Sequence, residues 1–156
     1  MNISAIAVFQ KNISGYVKFK ELGNKVQIEV NVSGLKPGLH GFHVHESGNL
    51  LNDCTSCKDL FNPFNKNHGG PNMKERHVGD LGNIVVDKQG NSNMLFYDNM
   101  IKLRGRKCNI IGRSVIIHAD EDNLGLPGDK ESLTTGKAGK RLDCAVIGYD
   151  NKIYFS

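Results

Sequence analysis

The sequence predicts an all-β fold, either a sandwich or a barrel, built from about eight short strands and two long loops. Apolar and polar residues alternate along several short segments, and strict alternation indicates a strand with one buried face. The 156 residues include 18 glycines, which separate these segments as expected for strands joined by turns. No segment shows the periodicity of an amphipathic helix, and the chain contains no internal repeat.

The first half of the chain contains four predicted strands. The clearest is residues 25–32, where every second residue is valine or isoleucine and the residues between them are polar. A period of two places these apolar side chains on one face of an antiparallel strand. A turn at residues 34–38 then leads to the fourth strand. The four segments are residues 4–9, 15–20, 25–32 and 41–46.

The second half of the chain alternates between strands and long loops. Residues 47–78 lack a regular pattern, and a loop of about 30 residues in a compact domain tends to be functional or cross-linked. Residues 120–140 form a second long loop, which is rich in glycine. The predicted strands of this half are residues 82–87, 93–97, 114–118 and 144–149.

Length and charge exclude several classes of protein. A chain of 156 residues predicts one domain, spanning residues 1–156, that buries roughly 68–70% of its unfolded surface. The net charge of +4 is mild and spread along the chain, without the basic stripe or aromatic platform of a nucleic-acid-binding protein. No apolar run approaches the roughly 20 residues of a membrane span, and residues 1–9 do not resemble a signal peptide. We therefore expect a cytoplasmic protein that binds neither nucleic acid nor membrane.

A pair of histidines on the fourth strand is the first sign of a functional site. Side chains alternate along a strand, so His43 and His45 share one face while Phe42 and Val44 point to the other, where a core can bury them. Imidazole is a ligand for copper, zinc and iron. Taken alone, this pair is equally compatible with two surface histidines.

The remaining histidines favour metal binding. The chain has six histidines, and five of them lie at strand ends or in a long loop. A set with two imidazoles and one carboxylate suits zinc, and a set of three imidazoles suits copper. The spacing is too loose to establish two separate sites from coordination chemistry alone, and each loop histidine alone is compatible with a solvated side chain. The sets are His68, His77 and Asp80 for zinc, and His43, His45 and His118 for copper.

Several motifs together resemble the copper–zinc superoxide dismutase family, in order and over nearly the whole chain. The resemblance implies an eight-stranded Greek-key β-barrel of the immunoglobulin-like sandwich type, and disproportionation of superoxide to oxygen and hydrogen peroxide. It also implies copper redox cycling beside a structural zinc, a homodimer with Leu50 and Leu51 as candidate contacts, and a copper chaperone as a partner. The motifs are Gly-Leu-His-Gly-Phe-His-Val-His-Glu at 38–46, Phe-Asn-Pro at 61–63, His-Gly-Gly-Pro at 68–71, Arg-His-Val-Gly-Asp-Leu-Gly-Asn at 76–83, Ile-Gly-Arg-Ser at 111–114 and the stretch 135–144.

The same resemblance assigns roles to individual residues. Arg141 matches the family's guanidinium beside copper, and a fixed cation there orients an anionic substrate. Asp122 matches the carboxylate that spans the two metal sites and accepts N–H bonds from His43 and His68. From the sequence alone, a turn cap in a polar loop explains Asp122 equally well. The resemblance implies the copper ligands His43, His45 and His118 and the zinc ligands His68, His77 and Asp80.

Four cysteines complete the resemblance. Cys54 and Cys144 match the family's internal disulfide, a bond that is uncommon in a reducing cytosol. Cys57 and Cys108 are then left as free thiols. Cys54 and Cys57 also form a CxxC motif, for which a redox or zinc function is the alternative, but the chain lacks the second CxxC of a zinc site.

Leu60 departs from the family pattern. Immediately before Phe-Asn-Pro, the family has a histidine that bridges copper and zinc, and a leucine can neither bind metal nor carry a proton. Copper then keeps three imidazoles and zinc keeps two imidazoles and a carboxylate, each with a position left for water.

An active dismutase is favoured by Arg141 and the copper set. A catalytically impaired homologue that binds zinc, or sequesters copper or a copper-delivery partner, is favoured by Leu60. An unrelated β-sandwich binding module would leave the histidine–aspartate set unexplained.

Overall fold

The structure is a computed structural model, and it describes residues 2–152. Nine strands lie within this range, and they form two antiparallel sheets. The strands are β1 (Ser4–Phe9), β2 (Ser14–Leu22), β3 (Lys25–Ser33), β4 (Gly38–His45), β5 (Asp80–Val86), β6 (Asn91–Asp98), β7 (Ser114–His118), β8 (Arg141–Val146) and β9 (Gly148–Tyr149). The five-stranded sheet has the order β6-β3-β2-β1-β9, and the four-stranded sheet has the order β5-β4-β7-β8.

The predicted all-β fold of the sandwich type is confirmed, and the two sheets are not closed into a barrel. Among residues 2–152, no strand of one sheet forms a ladder with a strand of the other. The edge strands β5 and β6 follow each other in the chain, yet each belongs to a different sheet. The tight turn between them carries the chain across the sandwich, with the Asp87 carbonyl accepting a bond of 3.1 Å from the Gly90 N–H.

The strand predicted at residues 144–149 is two strands in different sheets. Ile147 is the corner between them. Its N–H donates to the Arg113 carbonyl over 2.9 Å, and its carbonyl accepts from the Gly112 N–H over 2.8 Å. The chain then enters the five-stranded sheet, where β9 pairs with β1 through Gly148 and Tyr149. This corner raises the strand number from the predicted eight to nine.

The core between the sheets follows the alternation predicted from the sequence. In β3, every second side chain from Val26 onward is buried and its neighbours are more exposed. These residues pack with phenylalanines and isoleucines from both sheets, and each large apolar side chain contributes about 1.5–3 kcal/mol on burial. The largest fully buried side chains include Phe9, Phe19, Ile28, Phe42 and Ile84.

Two long connections cover one end of the four-stranded sheet. The connection after β4 contains a 3₁₀-helix (Asp53–Cys57), and the connection after β7 contains α1 (Ser132–Thr135). A hydrogen bond of 2.8 Å from the His68 N–H to the Leu133 carbonyl joins the two connections. The helices are single turns, in agreement with the absence of a helical pattern in the sequence. In the described range, no helix is long and apolar enough to cross a membrane.

Candidate metal centre

Strands β4 and β7 hold the copper set. Phe42 and Val44 lie in the hydrophobic core, so the alternation of β4 turns His43 and His45 to the opposite face. There they are covered by the long connections and are fully or almost fully buried. β4 pairs with β7, which brings His118 at the end of β7 to the same place. Ring nitrogens of the three histidines lie within 4.8 Å of one another.

Hydrogen bonds on the far side of each ring select its tautomer. Nε2 of His43 donates to Oδ2 of Asp122 over 2.7 Å. Nδ1 of His45 donates to the Lys58 carbonyl over 2.9 Å, and Nδ1 of His118 donates to the Gly139 carbonyl over 3.1 Å. A neutral imidazole carries one proton, so the other nitrogen of each ring keeps its lone pair. The second nitrogens of the three rings face one another, and Nδ1 of His43 lies within hydrogen-bond distance, 3.0 Å, of Nε2 of His118.

Burial keeps two of the copper-set histidines, His45 and His118, neutral. Burial, followed by the nearby His43, lowers the pKa of His118 to about 3. The same two causes hold the pKa of His45 well below its usual range. Nε2 of His45 is buried and has no hydrogen-bond partner in the described structure. Neutral imidazole with an unpaired lone pair is the state in which histidine binds a metal.

The zinc set gathers on the long connection and the start of β5. Oδ1 of Asp80 lies 2.7 Å from Nδ1 of His68 and 3.2 Å from Nδ1 of His77. Oδ2 of Asp80 accepts hydrogen bonds from the backbone N–H groups of Gly69 and His77, at 2.9 and 2.7 Å. These bonds fix the carboxylate so that Oδ1 faces both rings. All three facing atoms are buried, and the geometry fits a cation between them.

In the metal-free zinc set, His68 is protonated and lies between two ionised carboxylates, those of Asp80 and the neighbouring Asp122. Burial opposes charging, but hydrogen bonds to Asp122 and Asp80 outweigh it and raise the pKa of His68 to about 9. Burial likewise opposes ionisation of Asp80, yet hydrogen bonds from His68 and His77 hold its pKa well below the usual range. A proton on His68 therefore occupies the space that a cation would fill.

Asp122 connects the two sets. Its Oδ2 accepts from His43, and its Oδ1 accepts from Nε2 of His68 over 2.7 Å. Asn83 clamps its backbone, accepting from the Asp122 N–H and donating to the Asp122 carbonyl at 2.7 and 3.0 Å. Gly136 has φ 68°, and a Cβ there would overlap Oδ1 of Asp122 and crowd His68. The carboxylate is thereby held in one orientation.

Leu60 lies where the two sets meet. The Phe61 N–H donates to the Val44 carbonyl over 2.9 Å, and the Phe61 carbonyl accepts from the Gly79 N–H over 3.0 Å. Val44 lies between the histidines of β4, and Gly79 lies between His77 and Asp80. Only glycine fits at position 79, because a Cβ there would collide with the Val44 carbonyl. Leu60 itself forms a β-bridge with His45 and is 7% exposed.

Arg141 and a cavity of about 980 Å³ complete the site. Arg141 stands opposite His118 in the β7–β8 ladder. Its Nη1 donates to the Cys54 carbonyl over 2.7 Å. The cavity walls include Arg141, His45, His118, His77 and Leu60, so solvent reaches residues of both sets from one opening.

The structure also contains the disulfide implied by the family resemblance. Cys54 in the 3₁₀-helix is bonded to Cys144 in β8, with their Cα atoms 5.6 Å apart. Cys57 is a buried free thiol and Cys108 a half-buried one. This bond ties the loop whose carbonyl holds Arg141 to the sheet that carries Arg141.

Sequence reasoning gave no site function to four residues that shape the centre. The carbonyls of Lys58 and Gly139 orient two imidazoles, but every residue has a carbonyl, so the sequence holds no signal for them. Asn83 and Gly136 act through packing and hydrogen bonds to Asp122. Both lie in motif segments of the chain, which is the sole signal that pointed to them.

Comparisons with known proteins agree with this geometry. The sequence profile of the copper/zinc superoxide dismutase family (SODC) matches residues 13–147. "Superoxide dismutase [Cu-Zn]" of Paramecium bursaria Chlorella virus 1 is 61% identical over 148 residues, which cover 94% of this chain and 79% of that protein. The protein of the same name from Kluyveromyces lactis is 47% identical over 154 residues, covering 96% and 99%.

A solved structure is similar as well. The structure described as "Crystal Structure Analysis of the clock protein EA4" superposes with a TM-score of 0.90 at 44% sequence identity, covering 93% of each chain. Copper and zinc are the cofactors implied by the family, and the two donor sets fit them. From its matching profile, its relatives and its fold, this chain belongs to the copper/zinc superoxide dismutase family.

Proposed function

We propose that this chain disproportionates superoxide to oxygen and hydrogen peroxide at the copper set, with zinc bound next to it. One observation carries the proposal: the three imidazoles face one another beside an open cavity that His45, His118 and Arg141 line. Copper, when bound, supplies one-electron chemistry by alternating between two oxidation states. The ligands are His43, His45 and His118 for copper, and His68, His77 and Asp80 for zinc.

Arg141 is the docking residue for the anion. Its guanidinium is a permanent cation, and the bond from Nη1 to the Cys54 carbonyl fixes one edge of it. Its position opposite His118 places this charge beside the copper set. A fixed cation in a partly enclosed cavity attracts a small anion more strongly than a mobile surface lysine does.

The reaction consumes two protons for every two superoxide ions. Leu60 has no ionisable group, and it lies at the junction of the two donor sets. Water entering the cavity therefore supplies the protons for peroxide. Asp122 does not take over this function, because hydrogen bonds from His43 and His68 hold its pKa below the usual range despite burial.

The test is superoxide consumption by protein reconstituted with copper and zinc, with both metals counted on the same sample. We expect activity to follow copper content. R141A should keep its copper and lose about tenfold or more in rate, because a charge-assisted hydrogen bond to the substrate contributes about 1.5–3 kcal/mol. R104A is the matched control, since Arg104 pairs with Glu21 on the surface. Copper-loaded protein without turnover would contradict the proposal.

The second candidate function is metal binding without catalysis, and Leu60 is the observation that favours it. In this case the chain binds zinc, or sequesters copper or a copper-delivery protein. Full zinc occupancy without copper, or copper without turnover, would favour this function. L60H then decides the cause: a gain in copper retention and rate in this variant would assign the impairment to Leu60.

We propose that the chain forms a homodimer through two exposed leucines beside the disulfide. Leu51 is 85% exposed and Leu50 is 39% exposed, and nearby Gly48 packs against Val146. Covering these apolar side chains with a second copy stabilises both chains. Sedimentation should give the mass of two chains, and L51E should give one. A copper chaperone as partner and a cytoplasmic location are proposed with it.

A further inference from the structure

The zinc set provides three ligands and no fourth. Within residues 2–152, the group of donor atoms at this place consists of His68, His77 and Asp80. Structural zinc sites almost always have four protein ligands, whereas sites with three protein ligands take water or a substrate at the fourth position. A zinc ion bound here must therefore complete its coordination from solution.

Leu60 is connected to the zinc set through the backbone of its neighbour, Phe61. Phe61 is hydrogen-bonded to Gly79, two residues after His77 and one before Asp80. Leu60 precedes Phe61 and bridges to His45 on the copper side. Leu60 and His77 line the same cavity, and the side chain of Leu60 has no donor atom.

The same cavity leads from solvent to the zinc set. His77 and Leu60 both line it. Its charged lining residues are the cations Lys66, Arg113 and Arg141 and the carboxylates Glu46, Asp59 and Glu131. Nζ of Lys66 lies 3.8 Å from Oε1 of Glu75, and both side chains are about half exposed. A small solute in this cavity therefore reaches His77, the residue of the zinc set that lines it.

We propose that the zinc site of this chain binds a small monodentate anion from solution, and that Leu60 is the residue that leaves the position for it. The inference rests on the zinc assignment made under the proposed function. Zinc with ionised Asp80 carries a single net positive charge, which the neighbouring Asp122 carboxylate offsets. The attraction for an anion therefore comes chiefly from the zinc ion itself, because the cations of the cavity wall are matched by carboxylates, and we expect weak binding.

Azide titration of cobalt-substituted protein tests the proposal. The full, disulfide-bonded chain is loaded with cobalt(II) in the zinc set and silver(I) in the copper set, because silver(I) is spectroscopically silent and leaves the cobalt bands readable. We expect a saturable azide-dependent change in the visible cobalt bands. L60H supplies an imidazole, and the response should be lost. L60I supplies no donor and should keep the wild-type response.

Two results would overturn the inference: cobalt bands in the wild-type protein that do not respond to azide, or an equal response in L60H. Should L60H fail to fold, the wild-type and L60I titrations still decide, because an unresponsive spectrum in both shows a closed position. Superoxide consumption is measured separately on copper–zinc protein. Loss of that activity together with an azide response would reject the proposed function and leave the anion site standing.

Discussion

The backbone carbonyl of Lys58 accepts a hydrogen bond of 2.9 Å from Nδ1 of His45. Lys58 has φ 68° and ψ −152°, a region that is essentially restricted to glycine. Its N–H also caps the 3₁₀-helix by donating to the Thr55 carbonyl. The peptide that orients one copper-set imidazole is therefore held in a costly conformation by contacts on both of its sides.

Replacing Lys58 with glycine should stabilise the metal-free protein. The conformation costs a residue with a Cβ about 1–3 kcal/mol, and the added chain entropy of glycine in the unfolded state offsets about 0.5–1 kcal/mol. We expect K58G to gain about 1 kcal/mol in the free energy of unfolding, measured with urea on chelated protein. K58A keeps the Cβ and serves as the control. Equal stability of K58G and K58A would contradict the strain at this position.

Replacing Asp122 with asparagine should weaken copper binding more than zinc binding. The Leu124 N–H donates to Oδ1 over 2.8 Å, so the amide oxygen takes that position and the amide nitrogen faces Nε2 of His43. His43 must then move its proton to the nitrogen that faces copper. Loss of such an orienting partner costs roughly 10–100-fold in metal affinity.

Competition with a chelator for each metal checks this order of effects. E121Q is the matched control, because Glu121 is the exposed neighbour of Asp122 and its substitution removes the same charge. A larger loss at zinc than at copper would show that the amide is oriented the other way.

Particular residues show how far the sequence determines this structure. The alternation in β3 predicted its buried face, and Phe42 and Val44 predicted that His43 and His45 share the other face, because the period of a strand is local. Ile147 gave no such signal. Its corner depends on Arg113 and Gly112, which are distant in the chain, and an apolar run is compatible with either sheet.

The same distinction applies to the candidate site. The sequence shows which residues have metal-binding side chains, and the family resemblance groups them into a copper set and a zinc set. The orientation of each ring depends on the carbonyls of Lys58 and Gly139, which only the folded chain brings to His45 and His118. The exposure of the zinc set to the cavity likewise depends on backbone pairing around Phe61, which no pattern in the sequence encodes.

Metal-free protein should lose stability as the pH rises from 6.5 to 9. The pKa of His68 is about 9 in the folded state, where hydrogen bonds to Asp122 and Asp80 outweigh burial, against about 6.5 when unfolded. A raised pKa contributes stability that is fully present below the unfolded value and is lost as the pH passes the folded one. The loss is on the order of 3 kcal/mol. Urea unfolding of chelated protein at both pH values measures it, H68N should flatten the dependence, and rising stability would contradict it.

Removing the disulfide should impair both stability and the docking of superoxide. The bond joins Cys54 and Cys144 across 90 residues, and closing such a loop contributes about 4–5 kcal/mol in the chain-entropy model. The Cys54 carbonyl also accepts from Arg141, so freeing Cys54 loosens the guanidinium. We expect C144S to lose about 4 kcal/mol in the free energy of unfolding and to consume superoxide more slowly at equal copper content.

A second substitution separates the two effects of the disulfide. If the slower reaction of C144S arises from a mobile Arg141, then R141A should reduce the rate less in C144S than in the wild-type protein, because the two changes act on the same contact. C108S is the matched control, since Cys108 forms no disulfide, and it should match the wild-type protein in stability and rate. An undiminished effect of R141A in C144S would show that the guanidinium keeps its position without the disulfide, and that the bond acts on stability alone.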